Sequence, residues 1–174
     1  MNATTTTDIA TKSATESCPV LEEIFLGHFL VALDASDHAD RALAEALRIL
    51  GPVKGKVTGV HAYAARLHDA RFRQMEGGLP ERYLEEKEMQ HQRDVHDDLI
   101  GHGLNIISDS YHDVAEIVCD EAGLRFDRLS PEGKNYRKVL DAAGSGEFDV
   151  LALGAIGLGA VPGSVVGTVC ERVV

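Results

Sequence analysis

Two largely apolar runs constrain this chain more than anything else in it: residues 28–33 (HFLVAL) and 148–153 (FDVLAL, with Asp149 near its start). Each has the length of a strand and lacks the polar alternation of a sheet with one wet face. Such runs suit strands buried on both sides, which is the situation inside a parallel sheet covered by helices. Parallel neighbours need a crossover, and the chain supplies helical material between its strand-like runs. The expected fold class is therefore α/β, a doubly wound parallel sheet.

The first run ends at Asp34-Ala35-Ser36. Ser36 can cap the following helix, and Asp37 and Asp40 favour its positive end. That helix carries Ala39, Ala42, Leu43, Ala46, Leu47 and Leu50 at spacings of three and four, and Gly51-Pro52 stops it. A second strand is expected over residues 56–62 and a third, short one over 124–129. Residues 64–123 read as a helical insertion between them. It holds a charged helix over 81–100 that opens near Pro80, an interruption at Gly101 and Gly103, and a separate helix over 111–122. A helix over 134–143 precedes the fourth strand, 148–153. Residues 1–26 read as a mobile polar tail, and 27–174 as one domain.

Charge and composition remove several function classes. The formal net charge is −11, which argues against a nucleic-acid surface, since phosphate backbones demand clustered Lys and Arg. No apolar run reaches the ~20 residues of a membrane helix, and no signal peptide opens the chain, so the expected compartment is the cytoplasm. The three cysteines, Cys18, Cys119 and Cys170, show no metal spacing and read as incidental thiols. His91, His96, His102 and His112 read as surface histidines, and the charge run over 85–98 as a solvated helix face. The P-loop, the Gly-x-Ser-x-Gly elbow and His-Glu-x-x-His are all missing.

The segment with chemical content is the glycine-rich loop 154–167, which follows a buried strand and opens a helix. That is where a parallel sheet receives phosphates. Gly154 is expected to let a ligand approach the backbone, Gly157 to permit a turn, and Gly167 and Thr168 to present amides and a hydroxyl. Asp34, at the end of the first strand, should face the same crevice.

The spacing Gly154, two residues, Gly157, nine residues, Gly167-Thr168 resembles the ATP-binding motif of the universal stress protein family. The first strand with its terminal Asp34 and Ser36, and Val60-His61-Ala62 in the second, are similar to that family's first two strands. The resemblance implies an adenine-nucleotide-binding regulatory domain that takes ATP with Mg²⁺. It places adenine near Ala32, Asp34 and Ala62, the ribose by Leu153 and Gly154, and the phosphates on Gly157, Gly167, Thr168 and Val169.

The sequence departs from that pattern in three places. The loop 158–166 lacks Lys and Arg, the stretch before the third strand is long, and the family's last strand is missing after the final helix. The expectation is accordingly a C-terminally incomplete domain, whose dimerisation through that strand is in doubt and whose partners could be a second copy or other domains of a longer chain. The competing reading is a nucleotide-free interaction module on the same fold. Enzymatic activity is not expected, with slow ATP hydrolysis the residual option.

Overall fold

The computed structural model describes residues 26–174. Its four strands are β1 (His28–Ala32), β2 (Lys56–Val60), β3 (Arg125–Leu129) and β4 (Val150–Ala152), all parallel, in the order β3-β2-β1-β4. The helices are α1 (Asp37–Leu50), α2 (Ala65–Glu76), α3 (Glu86–Glu121), α4 (Asn135–Ala143) and α5 (Thr168–Val173). The chain steps outward from β1 through β2 to β3, then returns to set β4 on the other side of β1. The sheet's switch point therefore lies between β1 and β4, where the first sequence run meets the last.

Each face of the sheet has its own apolar cluster. Phe29, Val31 and Val57 pack against Leu43, Ala46 and Leu50 of α1 and Ala115 and Cys119 of α3. Leu30 and Val60 pack against Val139 of α4 on the opposite face. Successive residues of one strand thus feed opposite layers, and this is why β1 had to be apolar throughout. The start of β1 is tied to β4 by Asp149, whose carboxylate accepts the N–H groups of Gly27 and His28 at 2.8 Å each. Those two bonds hold the Asp149 carboxyl below its ordinary range.

Ser36 caps α1 as its sequence position implies, its Oγ accepting the Ala39 N–H at 3.1 Å. The region between β2 and β3 differs from expectation. Gly101 and Gly103 interrupt nothing: α3 runs unbroken from Glu86 to Glu121, and the expected helix over 111–122 is its last third. Glycine weakens a helix by about 1 kcal/mol without forbidding it, and here packing holds the helix together. The N-terminal part of α3 lies against α2, clamped where Arg93 donates to both carboxylate oxygens of Glu76 at 2.7 and 2.8 Å. The C-terminal part seals the sheet. The charge run is therefore not merely a solvated face. Its helix also starts later than expected, because residues 81–83 form a separate 3₁₀ turn.

His112 is a second correction. It is fully buried, with Nε2 bonded to Ser130 Oγ at 3.0 Å, rather than on the surface. His96 is half-buried and stacks on Phe72, while His91 and His102 are exposed. Cys119 is buried and its thiol is pushed up to about 11 by burial, which makes it inert. Cys18 lies outside the described residues. Among the described residues, no helix is long and apolar enough to cross a membrane, and no three His, Cys, Asp or Glu side chains form a metal-sized group.

Candidate functional site

A cavity of about 230 Å³ opens at the C-terminal edge of the sheet, at the switch point between β1 and β4. Open parallel sheets place ligands at this position, because the chain diverges there and leaves a crevice. Ala32, Leu33 and Asp34 form one wall as they leave β1, and Val60, His61 and Ala62 form another as they leave β2. Leu153 and Gly154 enter from β4, Gly157 from the loop, and Gly167, Thr168 and Val169 from the junction with α5. All nine residues singled out from the sequence line this one space.

Why these residues sit there is a different matter from what the motif suggested. A Cβ on Gly154 would come within 2.8 Å of the Ala39 nitrogen and the His38 carbonyl carbon, so glycine is required by the approach of α1. At Gly157 a Cβ would stand 2.5 Å from Asp34 Oδ2. Gly167 is buried, its N–H donates to Ala155 O at 2.7 Å, and a Cβ there would press on the Gly157 nitrogen at 3.2 Å. The three glycines let the loop fold onto itself and onto α1. None is kept clear only for a ligand, which corrects the role expected of Gly154.

Asp34 is the hub of that arrangement. Its Oδ1 accepts the N–H of Ser36 at 3.1 Å and the Ser36 hydroxyl at 2.6 Å, and its Oδ2 accepts the Leu158 N–H at 2.9 Å. Between them Ala35 adopts a left-handed backbone with φ of 54°, a conformation that costs an L-residue roughly 1–2 kcal/mol. This kink takes the chain from β1 into α1 and leaves Asp34 aimed at the loop. Thr168 is exposed at the first position of α5, with Gly167 rather than Thr168 in the capping position.

The sequence reading left His61, Asn135 and Cys170 off the site, and all three line the cavity. The position of His61, directly after a strand that faces the switch point, was the available signal. Its Nδ1 is buried without a hydrogen-bond partner, and Tyr111 packs edge-on against its ring at 4.9 Å. Desolvation lowers its pKa, and the nearby Asp34 only partly opposes this, so the ring is neutral at pH 7. Neither Lys nor Arg lines the cavity. The lining therefore offers donors, acceptors and apolar walls, but no fixed positive charge.

The model of the universal stress protein family matches residues 26–174, which is the whole described domain. The chain belongs to the universal stress protein family. No curated protein matches it closely enough to report. Among solved structures, the hypothetical protein MJ0577 is similar, with a TM-score of 0.64, 15% identity, and coverage of 85% of this chain and 88% of that one. The universal stress protein UspA from Lactobacillus plantarum gives 0.62 at 18% identity, covering 85% and 90%. A universal stress protein solved in complex with cAMP gives 0.51 at 18% identity, covering 85% and 87%. At these identities the likeness establishes the family fold: a parallel sheet flanked by helices.

Proposed function

We propose that this domain binds an adenine nucleotide in the switch-point cavity and acts as a regulatory binder rather than an enzyme. The observation that carries the reading is convergence. Residues far apart in the chain, from the ends of β1, β2 and β4 and from the glycine loop, close around one space. A similar fold has been solved with cAMP, which supports the class of ligand. ATP is the member implied by the resemblance of the loop spacing to the family's ATP-binding motif.

The chemistry of the walls suits such a ligand in parts. Ala32, Ala62 and Val169 give apolar surface for a base. A carboxylate offers about four acceptor sites, and Asp34 has three occupied by protein, which leaves capacity for one amino or hydroxyl donor. The volume of about 230 Å³ is below the ~300–1,000 Å³ of typical ligand sites, so phosphates would extend out along the loop amides. With neither Lys nor Arg in the lining, a divalent cation such as Mg²⁺ would have to offset their charge. No metal group is preformed among the described residues, so the cation would arrive with the nucleotide.

The glycines favour a second reading on one point: each is already explained by protein packing, as a nucleotide-free interaction module would have it. One experiment separates the two. Calorimetric titration with ATP is run in millimolar Mg²⁺ and again in excess chelator, together with analysis of any nucleotide released on mild denaturation. The binding reading expects saturable heat with Mg²⁺ and a loss of at least tenfold without it. Absence of both binding and co-purified nucleotide would favour the module. Steady release of ADP in the same mixture would overturn the non-enzymatic part.

A further inference from the structure

Three cations gather around one aromatic ring beside the cavity. The Arg172 guanidinium lies over the Tyr136 ring at 4.6 Å, and that of Arg137 stands 5.9 Å from the same centroid. Arg137 Nε also donates to the Tyr136 hydroxyl at 3.1 Å. That bond holds the phenol below its ordinary range, and the charges of Arg137, Arg172 and Lys134 add to the effect, so Lys134 belongs to the same group.

Such a gathering is unfavourable by itself. The chain has 28 acidic residues against 17 Lys and Arg, yet among the described residues none of these three cations forms an ion pair. A ring face attracts one cation, but the second and third add like-charge repulsion. Their place on α4 adds to the cost. Its capping position is Lys134, with no side-chain cap, and its first turn holds no acid, although that end of a helix favours anions and disfavours cations.

The cluster adjoins the cavity. Asn135 and Val139 of α4 line it, as do Thr168, Val169 and Cys170 of α5. Arg172 follows Thr168 by four residues and so lies on the same face one turn on. Side chains on a helix lean toward its N-terminus, which carries the Arg172 guanidinium back toward the cavity mouth.

We infer that Lys134, Arg137 and Arg172 form an outer anion site at the cavity mouth, which takes the second and third phosphates of a nucleoside triphosphate. This rests on the nucleotide reading above and extends it. The cations lie beyond the lining, so a monophosphate that ends on the glycine loop leaves them unpaired. Arginine suits the task, because its planar donors match phosphate oxygens two at a time. Tyr136 holds both guanidinium groups in place before the ligand arrives. The innermost phosphate still meets neither Lys nor Arg and keeps its need for Mg²⁺. The domain thereby tells ATP from AMP by charge, a distinction that the apolar walls and Asp34 cannot make, since both ligands carry the same base and ribose.

Calorimetric titration of the full chain with ATP and with AMP, each in millimolar Mg²⁺, tests it. The wild type is expected to bind ATP about tenfold tighter than AMP, or better. Combining Arg137→Gln with Arg172→Gln should abolish that preference through loss of ATP affinity. AMP affinity and the thermal midpoint should be kept, because both side chains are exposed. Arg172→Lys, which keeps the charge but not the paired donors, should fall between the two. Equal wild-type affinities for ATP and AMP, or a preference that survives the double variant, overturn the outer site and leave nucleotide binding in place. Binding of neither nucleotide overturns both. Inorganic tripolyphosphate is the remaining arm: if it binds the wild type when neither nucleotide does, and the double variant loses it, the cations hold a free polyphosphate and the assignment to a nucleotide falls.

Discussion

The Asp34 carboxylate accepts the backbone N–H of Leu158 at 2.9 Å, joining the end of the first strand to the glycine loop across 124 positions of sequence. The same carboxylate holds the Ser36 amide and hydroxyl, so one side chain sets both the kink before α1 and the path of the loop. The site is organised by this contact before any ligand arrives.

Asp34→Ala should therefore loosen the loop without unfolding the sheet, because Asp34 is only half-buried and lies outside the core clusters. Amide hydrogen exchange is expected to rise at Leu158 and Gly167 and to stay unchanged in β1 and β2. Nucleotide affinity should fall at least tenfold, about 1.4 kcal/mol. Unaltered exchange at Leu158 would mean the carboxylate does not hold the loop.

Two glycines of the same loop should behave in opposite ways. Gly154→Val drives a branched side chain into the α1 backbone and is expected to cost about 1–3 kcal/mol of stability or more, as overpacking does. Gly159 lines the cavity, but a Cβ there meets nothing within 4 Å. Gly159→Val should leave the urea midpoint unchanged while weakening nucleotide binding. Equal midpoints for the two variants would contradict the packing account of Gly154.

Ala35 offers a gain. Its φ of 54° suits glycine, so Ala35→Gly should stabilise the fold by about 0.5–1 kcal/mol, net of the extra chain entropy glycine loses. For a domain of this size that is a rise in Tm of roughly 2–4 °C per kcal/mol. Calorimetry showing a lower Tm would mean that the kink is not strained.

Acid should weaken the fold through the buried His112 and the partly buried His61. His112 is lowered in pKa by desolvation first, then by Arg128 and His61, against the opposing pull of Asp109 and Asp113. His61 is lowered by desolvation, against Asp34. When the folded value lies below the unfolded one, the unfolded chain binds the proton first. Stability is then complete above the unfolded value near 6.5, falls as pH drops below it, and levels off once the folded state titrates too. Urea unfolding at pH 7.5 and 5.5 should show this loss, and His112→Gln, which can keep a bond to Ser130, should show less of it. Identical pH dependence in both proteins would remove His112 from the account.

Much of the architecture was legible without coordinates. The apolar runs of β1 and β4, the Ser36 cap and the glycine spacing are local signals, and local signals survive folding because backbone hydrogen bonding and burial act on neighbours in sequence. They were enough to bring Asp34 and the glycine loop to one edge of a parallel sheet, and the family resemblance added Ala32, Ala62 and Leu153. What they could not carry were relations between distant segments. The continuity of α3 through Gly101 and Gly103 depends on α2 and the sheet, whose packing outweighs a weak helix propensity. The burial of His112 depends on Ser130 and on α3 lying across the sheet. Gly154 looked like a point of ligand access and Gly157 like a turn, and only the approach of α1 and of the Asp34 carboxylate showed that protein atoms already occupy the space a Cβ would take at each. Residue type and spacing determined which groups would meet at the switch point; the packing of whole helices against the sheet decided what each of them touches there.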